Sequence, residues 1–349
     1  MVSNTEKFQW LSLGAGVLTL IISIVFSPLL SDIPYSVQAV PFLISMVFLG
    51  LPHGAMDHLV PGRLADISVR ESILYVSVLY LLIGGLYVFL WFIAPVFSLI
   101  FFILMTWFHW GQGDLYVLKN FGFDFMTESK LYSTVSLVLR GGIPMLVPLI
   151  AHPEKYTGFL SDILTELSVN TVSLNYLVST QVSLTLTVFI GILAMINIIS
   201  GLYKADSRSQ LKLWLYDNLE IALLLAFFFL LPPLFAVGVY FCTWHSLRHI
   251  ARLSLIKDEA LLEKVQEGRK LGYLKELGRN TFKLTLISLV MFGASVSLFF
   301  STVTIETLIA VYLVFISVLT LPHVLVVSWM DYRQMNMWKH LFTLSGKSD

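Results

Sequence analysis

Apolar residues run in stretches of roughly twenty, broken by short segments rich in charge, proline or glycine, along nearly the whole chain. No sustained period-two alternation of the kind that builds outer-membrane barrels accompanies them, so the stretches predict transmembrane helices. Ten spans are expected, at about 9–30, 36–56, 72–94, 96–118, 131–151, 178–202, 214–231, 233–252, 282–301 and 304–330. Two neighbouring pairs are separated only by tight breaks at Ala94-Pro95 and Pro232-Pro233, where proline cannot continue the ladder of the preceding helix. The fold class is therefore an all-α polytopic bundle, a single integral-membrane domain over 1–349 with a non-spanning connection at about 253–281. The first stretch is long enough to cross a bilayer and is read as helix one, not as a cleavable signal peptide.

Composition agrees with that setting. Of 349 residues, 57% are hydrophobic and only 13% charged, too little polar surface to cover a soluble globule. Zero net charge argues against a nucleic-acid partner, and the single cysteine, Cys242, excludes an internal disulfide. Ten spans place both termini on one side, and the basic residues sort the same way. Lys7, Arg63, Arg70, Lys119, Lys130, Lys204, Arg208 and Lys212, the seven lysines and arginines between Arg252 and Arg279, and the tail residues Arg333, Lys339 and Lys347 share it; Lys155 falls opposite and Arg140 inside a span. Both termini are expected to be cytoplasmic, in the cell's inner (plasma) membrane, with the basic connection lying near anionic lipid.

Against this background the histidines stand out. Six of eight (His53, His58, His109, His245, His249, His323) lie in or at the ends of apolar segments. Ionisable groups inside a membrane are costly and usually mark a site, and imidazole is the commonest metal ligand. The expected topology makes the four histidine-bearing spans run the same way, with each histidine in the final half, so one layer toward the cytoplasm would hold them all. His245 and His249 are spaced i, i+4 and share a helix face, the most specific local signal in the chain. Cys242, three residues before His245, fits core packing better than ligation. In Leu51-Pro52-His53-Gly54-Ala55-Met56-Asp57-His58, Asp57 sits i+4 from His53 and could hold its ring N–H, while His58 points elsewhere and equally suits a helix cap. His109 lies among Trp107, Phe108 and Trp110, with Gln112 and Asp114 following, and Leu321-Pro322-His323 repeats the Leu-Pro-His of span two. His53, His109, His245 and His249 are the expected ligands; His58, His323, Asp57, Asp114 and Glu220 are supporting partners or reserve ligands. Glu220 is expected to meet a histidine or Arg248, whereas Asp217 reads as an ordinary acid of a helix start, and His152 and His340 as surface residues. Phe108, Trp110, Tyr240, Trp244 and Met56 are candidates for lining an apolar tunnel.

The segments PHGAMDH (52–58), FHWGQGD (108–114), WHSLRH (244–249) and LPHVLVVSWMD (321–331) together resemble the motif set of the Brp/Blh family of integral-membrane β-carotene dioxygenases. The resemblance runs from span two to span ten in matching order. It implies iron, Fe(2+), held by His53, His109, His245 and His249, and oxidative cleavage of the central double bond of β-carotene by dioxygen to two molecules of all-trans-retinal, which a rhodopsin could receive. An all-imidazole site with open positions suits such chemistry. Two rivals remain on the residues alone. A di-iron desaturase or hydroxylase would show denser histidine boxes, and a transition-metal transporter would spread polar groups through the full bilayer depth. A retinal-binding rhodopsin needs a mid-span lysine, and the expected spans lack one.

Overall fold

The computed structural model describes residues 4–65, 67–167, 169, 174–254 and 270–335; most of the basic connection and the tail, with His340, Lys339 and Lys347, lie outside them. In chain order the principal helices are α1 (Asn4–Val25), α2 (Tyr35–Leu64), α3 (Val69–Ile93), α4 (Pro95–Asn120), α5 (Lys130–Ala151), α6 (Pro153–Glu166), α7 (Thr180–Leu202), α8 (Arg208–Leu230), α9 (233–254), α10 (Lys270–Phe299) and α11 (Ile305–Met335). No strand occurs among the described residues. Eight helices, α2 to α5, α7, α8, α10 and α11, are long and apolar enough to cross a membrane. Expected spans one and eight are helices too. α1 contains the apolar stretch Leu13–Val25, and α9 carries His245, Arg248, His249 and Arg252, which lowers its hydropathy although the helix is well buried.

The bundle is sorted by burial. Inside the protein lies 67% of the most apolar stretch of α5, against 11% for α7 and α10, which face outward with side chains such as Leu184, Val188, Ile287 and Val290. At the centre, α5 packs on α4, α7 and α8, α9 packs on α2, and α11 packs on α2, α3, α4 and α6. Glycines set the closest of these approaches: a Cβ on Gly111 of α4 would overlap the Leu137 carbonyl oxygen, and one on Gly141 of α5 would overlap that of Trp107. Trp107 closes the same crossing by donating its indole N–H to Val138 O at 2.7 Å. Backbone contact between α4 and α5 thereby fixes the height of His109, two residues before Gly111.

Three helices depart from regular geometry where they carry chemistry. α2 stops at Phe48, restarts over Gly50–Gly54 around Pro52, and passes through a 3-10 turn at Asp57–Leu59. α3 and α9 each contain a π-helical segment, Tyr80–Gly84 and Tyr240–Ser246. Such wider turns cost hydrogen-bond quality and concentrate at functional positions, because they re-aim the side chains that follow.

The segment after Ala151, expected to be a loop, is the helix α6. Pro153 occupies its first turn, and Tyr156, Phe159, Leu160, Ile163 and Leu164 recur at helical spacing on one face, which packs on α11 and α5.

Candidate metal centre

Five imidazoles from four helices converge. His53 of α2, His109 of α4, His245 and His249 of α9 and His323 of α11 are all buried, and their ring centroids lie 4.8 to 6.2 Å from one another in the pairs that touch. Donor atoms of His53, His109 and His245 fall within 4.8 Å of one another, as do those of Asp57, His249 and His323. The rings of His245 and His249 are nearly parallel, 8° apart, although His245 sits inside the π segment and not in the regular α-helix expected from their spacing.

The far nitrogen of three of these rings is held by the protein. His53 Nδ1 donates to Leu49 O at 3.2 Å, His109 Nδ1 to Gln112 Oε1 at 3.3 Å and His323 Nδ1 to Asp57 Oδ2 at 2.8 Å. That tautomer leaves each Nε2 lone pair free, and Nε2 of His109, His245, His249 and His323 is buried without a hydrogen-bond partner. An unmet buried polar atom costs about 1–3 kcal/mol, and four in one cluster imply an occupant. A metal ion fits the test: neutral nitrogen donors converge, and a carboxylate backs one of them in the arrangement that fixes metal-binding histidines.

The supporting shell is built by residues the sequence left unassigned. Tyr80, delivered by the π segment of α3, donates its hydroxyl to Asp57 Oδ2 at 2.6 Å. Gln112, which accepts from His109, donates to Asp331 Oδ2 at 2.7 Å, and Asp331 is ion-paired with Arg252. The motif signal existed, since Gln112 and Asp331 both lie within the segments quoted above, but their partners are far apart in sequence.

Several expectations are corrected by these positions. Asp57 holds His323 and not His53, because the chain turns after Gly54 and the i, i+4 relation is not helical there. His58 stands outside the cluster, its Nδ1 on Ala55 O at 2.7 Å. Asp114 meets no histidine; its carboxylate takes Trp244 Nε1 at 3.0 Å, Arg248 at 3.1 Å and Arg140 at 3.3 Å. Glu220 pairs with Arg248, as expected, at 2.9 Å, and with Arg140 at 3.1 Å. Asp217 is no surface cap but fully buried, 2.5 Å from Arg140 and accepting from Tyr132 OH at 2.7 Å. Two guanidiniums and three carboxylates thus lock α4, α5, α8 and α9 together beside the histidines. His152 is half-buried, and burial near Lys155 lowers its pKa from the ordinary histidine value. Cys242 approaches Pro41 O at 3.6 Å and not the cluster.

One side of the histidine cluster opens on an apolar cavity. His53, His109, His245 and His323 share its wall with Phe102, Trp110, Phe159, Phe241 and Ile316, among others. Of the aromatic and methionine candidates, Trp110 lines it. Tyr240 and Trp244 are buried in the neighbouring core, Met56 in a cluster with Val326 and Met330, and Phe108 packs in a third group. The element missed altogether is α6, which contributes Tyr156, Phe159 and Leu160 to the wall; its amphipathic spacing was the available signal.

Fold and site together define a polytopic membrane protein with a buried cluster of imidazoles, suited to a metal ion, beside a hydrophobic cavity. The family described as beta-carotene 15,15'-dioxygenase matches residues 44–331, and the chain belongs to it. It is 35% identical over 328 residues to the probable beta-carotene 15,15'-dioxygenase Blh of Halobacterium salinarum, covering 92% of this chain and 90% of that one. It is 28% identical over 321 residues to the probable beta-carotene 15,15'-dioxygenase Brp of Halobacterium salinarum, covering 88% and 87%. No solved structure matches.

Proposed function

We propose that this protein cleaves the central double bond of β-carotene with dioxygen, using Fe(II) held by His53, His109, His245 and His249 with His323 as fifth donor. The reading is carried by one observation: four imidazoles share the wall of a hydrophobic cavity, and the Nε2 atoms of three of them, His109, His245 and His323, are buried without a hydrogen-bond partner. The balance is simple, since the C=C and O–O bonds break, two C=O bonds form, and two molecules of retinal leave. Bound iron supplies the redox activity that dioxygen needs to react with a closed-shell alkene.

The residues do the rest. Phe102, Trp110, Phe159, Phe241 and Ile316 bind the polyene by burial and hold its centre at the histidines, while the absence of charge from the wall excludes water. Asp57, Gln112 and Leu49 O fix the imidazole tautomers, so no proton need move on the protein during the reaction. A substrate dissolved in lipid reaches such a site laterally from the bilayer. The cluster lies in the halves of α2, α4, α9 and α11 nearest their C-terminal ends, and the distribution of basic residues supports a cytoplasmic side for them.

A second reading has one observation in its favour. The donors divide into two groups of three, the second containing Asp57 whose Oδ1 is buried and unpartnered, as a dinuclear desaturase or hydroxylase would require. Expressing the chain in cells that accumulate β-carotene, with iron counted in the purified protein, decides between them. Loss of colour with retinal formed and one iron per chain is expected; persistent β-carotene, or two irons with a hydroxylated or desaturated product, would overturn the first reading.

A further inference from the structure

Two threonines line the cavity beside the histidines, and they differ. Thr320 of α11 donates its hydroxyl to Ile316 O, one turn back, at 2.7 Å. Thr19, Thr157, Thr185, Thr187 and Thr243 do the same within their own helices, each at 2.7 to 2.9 Å. Thr106 of α4 does not. Its side chain is buried, only 6% exposed, and its Oγ1 has no hydrogen-bond partner. Thr106 lies three residues before His109, so both fall on the same face of α4, and both line the cavity. An unmet hydroxyl in an apolar wall destabilises the fold unless something supplies an acceptor.

The substrate class cannot supply it, because a hydrocarbon polyene has no acceptor. The reaction creates one. Once the central bond is cut, each half ends in an aldehyde, and its carbonyl oxygen is formed at the histidine cluster, next to Thr106. Resting on the dioxygenase reading above, we infer that the Thr106 hydroxyl donates a hydrogen bond to the aldehyde oxygen of a product half. It thereby holds one product half longer than the other. Two aldehydes form in each turnover, and one unengaged threonine hydroxyl serves them, so the two halves are bound unequally. Valine at this position would keep the shape and remove the donor; serine would keep the donor.

The test uses the purified full-length protein with all-trans-retinal added, and reads the carbonyl stretch of the bound aldehyde by Raman spectroscopy alongside its affinity. In the unaltered protein the stretch falls below that of retinal in detergent. Thr106→Ser keeps the lowered frequency. Thr106→Val returns it to the free value and weakens retinal binding by roughly three- to tenfold, the loss of one neutral hydrogen bond, while its thermal midpoint is unchanged or higher. A carbonyl stretch and affinity that Thr106→Val leaves unaltered overturn the inference, as does a serine variant that behaves like valine. Failure of the unaltered protein to bind retinal overturns it as well; conversion of β-carotene by the same preparation then shows whether the dioxygenase reading falls with it.

Discussion

Replacing Asp57 by asparagine probes how the metal centre is held. Asp57 Oδ2 accepts from His323 Nδ1 at 2.8 Å and from Tyr80 OH at 2.6 Å, and the carboxylate is buried. A charge-assisted hydrogen bond is worth about 1.5–3 kcal/mol and a neutral one about 0.5–1.5. Asparagine retains an oxygen acceptor of the same shape, so the difference, about 1–1.5 kcal/mol, is what the charge adds to the basicity and orientation of His323. That corresponds to roughly tenfold in metal affinity, the lower edge of the range for losing such a partner. Alanine removes the acceptor altogether and leaves an imidazole N–H and a phenol unmet, which moves the expected loss toward a hundredfold. The assay is metal retention by the purified protein against a graded chelator, read by elemental analysis, with Co(II) as a coloured substitute for iron. His58→Ala is the control and should retain metal as the unaltered protein does, since His58 is turned to Ala55 O. Unchanged affinity in Asp57→Asn and Asp57→Ala would refute His323 as a donor through Nε2.

Arg140→Met removes the guanidinium that Asp217, Glu220 and Asp114 share; breaking a buried ion network from one side costs about 3–5 kcal/mol, so the thermal midpoint in detergent should drop sharply with loss of the folded fraction on size-exclusion chromatography. Gly111→Ala forces α4 from α5 at the Leu137 carbonyl, and metal retention should fall with stability because His109 moves with its helix. Filling the cavity with Leu160→Trp should raise KM for β-carotene while leaving metal content at the unaltered level, as Leu160 lines the wall from α6, which carries none of the clustered histidines. At the start of α11 and the end of α6, burial, with Glu306 and Glu166 nearby, raises the pKa of Asp162. A raised carboxyl pKa means the folded state binds the proton more tightly than the unfolded chain, so stability is lost as pH rises through the unfolded value toward the folded one. Asp162→Asn should therefore raise the thermal midpoint at neutral pH and make no difference at acid pH.

How much of this was legible follows from the range of each interaction. The helical bundle was, with eight of the ten expected spans long and apolar enough to cross a membrane among the described residues, because hydropathy is read over a local window and each span must satisfy its own backbone in lipid. The converging histidines were also visible in outline: equal depth on parallel-running helices follows from topology alone. What failed was pairing. Asp57 was assigned to His53 by assuming that α2 continues past Gly54, and Asp217 was read as an ordinary acid of a helix start because Arg140, 77 residues away, cannot be placed against it from spacing. His323 looked optional because only the folded helix bundle shows Asp57 behind it. The missed helix α6 is a different failure, since its apolar face was present in the sequence but its length and polarity hid it from a search for spans.

The buried charges and the apolar cavity are two halves of one solution. Five imidazoles, two guanidiniums and three carboxylates would be ruinous if scattered in a bilayer, where each group would be desolvated alone. Grouped between α4, α5, α8 and α9, the charged groups of the ion network pair with one another, so none of its members needs to face the substrate. It also holds α4 and α9 at fixed height through Asp114, Arg248 and Trp244, and those two helices carry His109, His245 and His249. Removing polarity from the cavity and positioning three imidazoles are thus done by the same contacts. This predicts coupling: the loss of metal affinity in Asp114→Asn combined with Glu220→Gln should differ from the sum of the two single losses, though neither residue hydrogen-bonds a histidine. Additive losses in the double variant, measured by the same chelator titration, would mean that the two carboxylates act on the centre independently and not as one network.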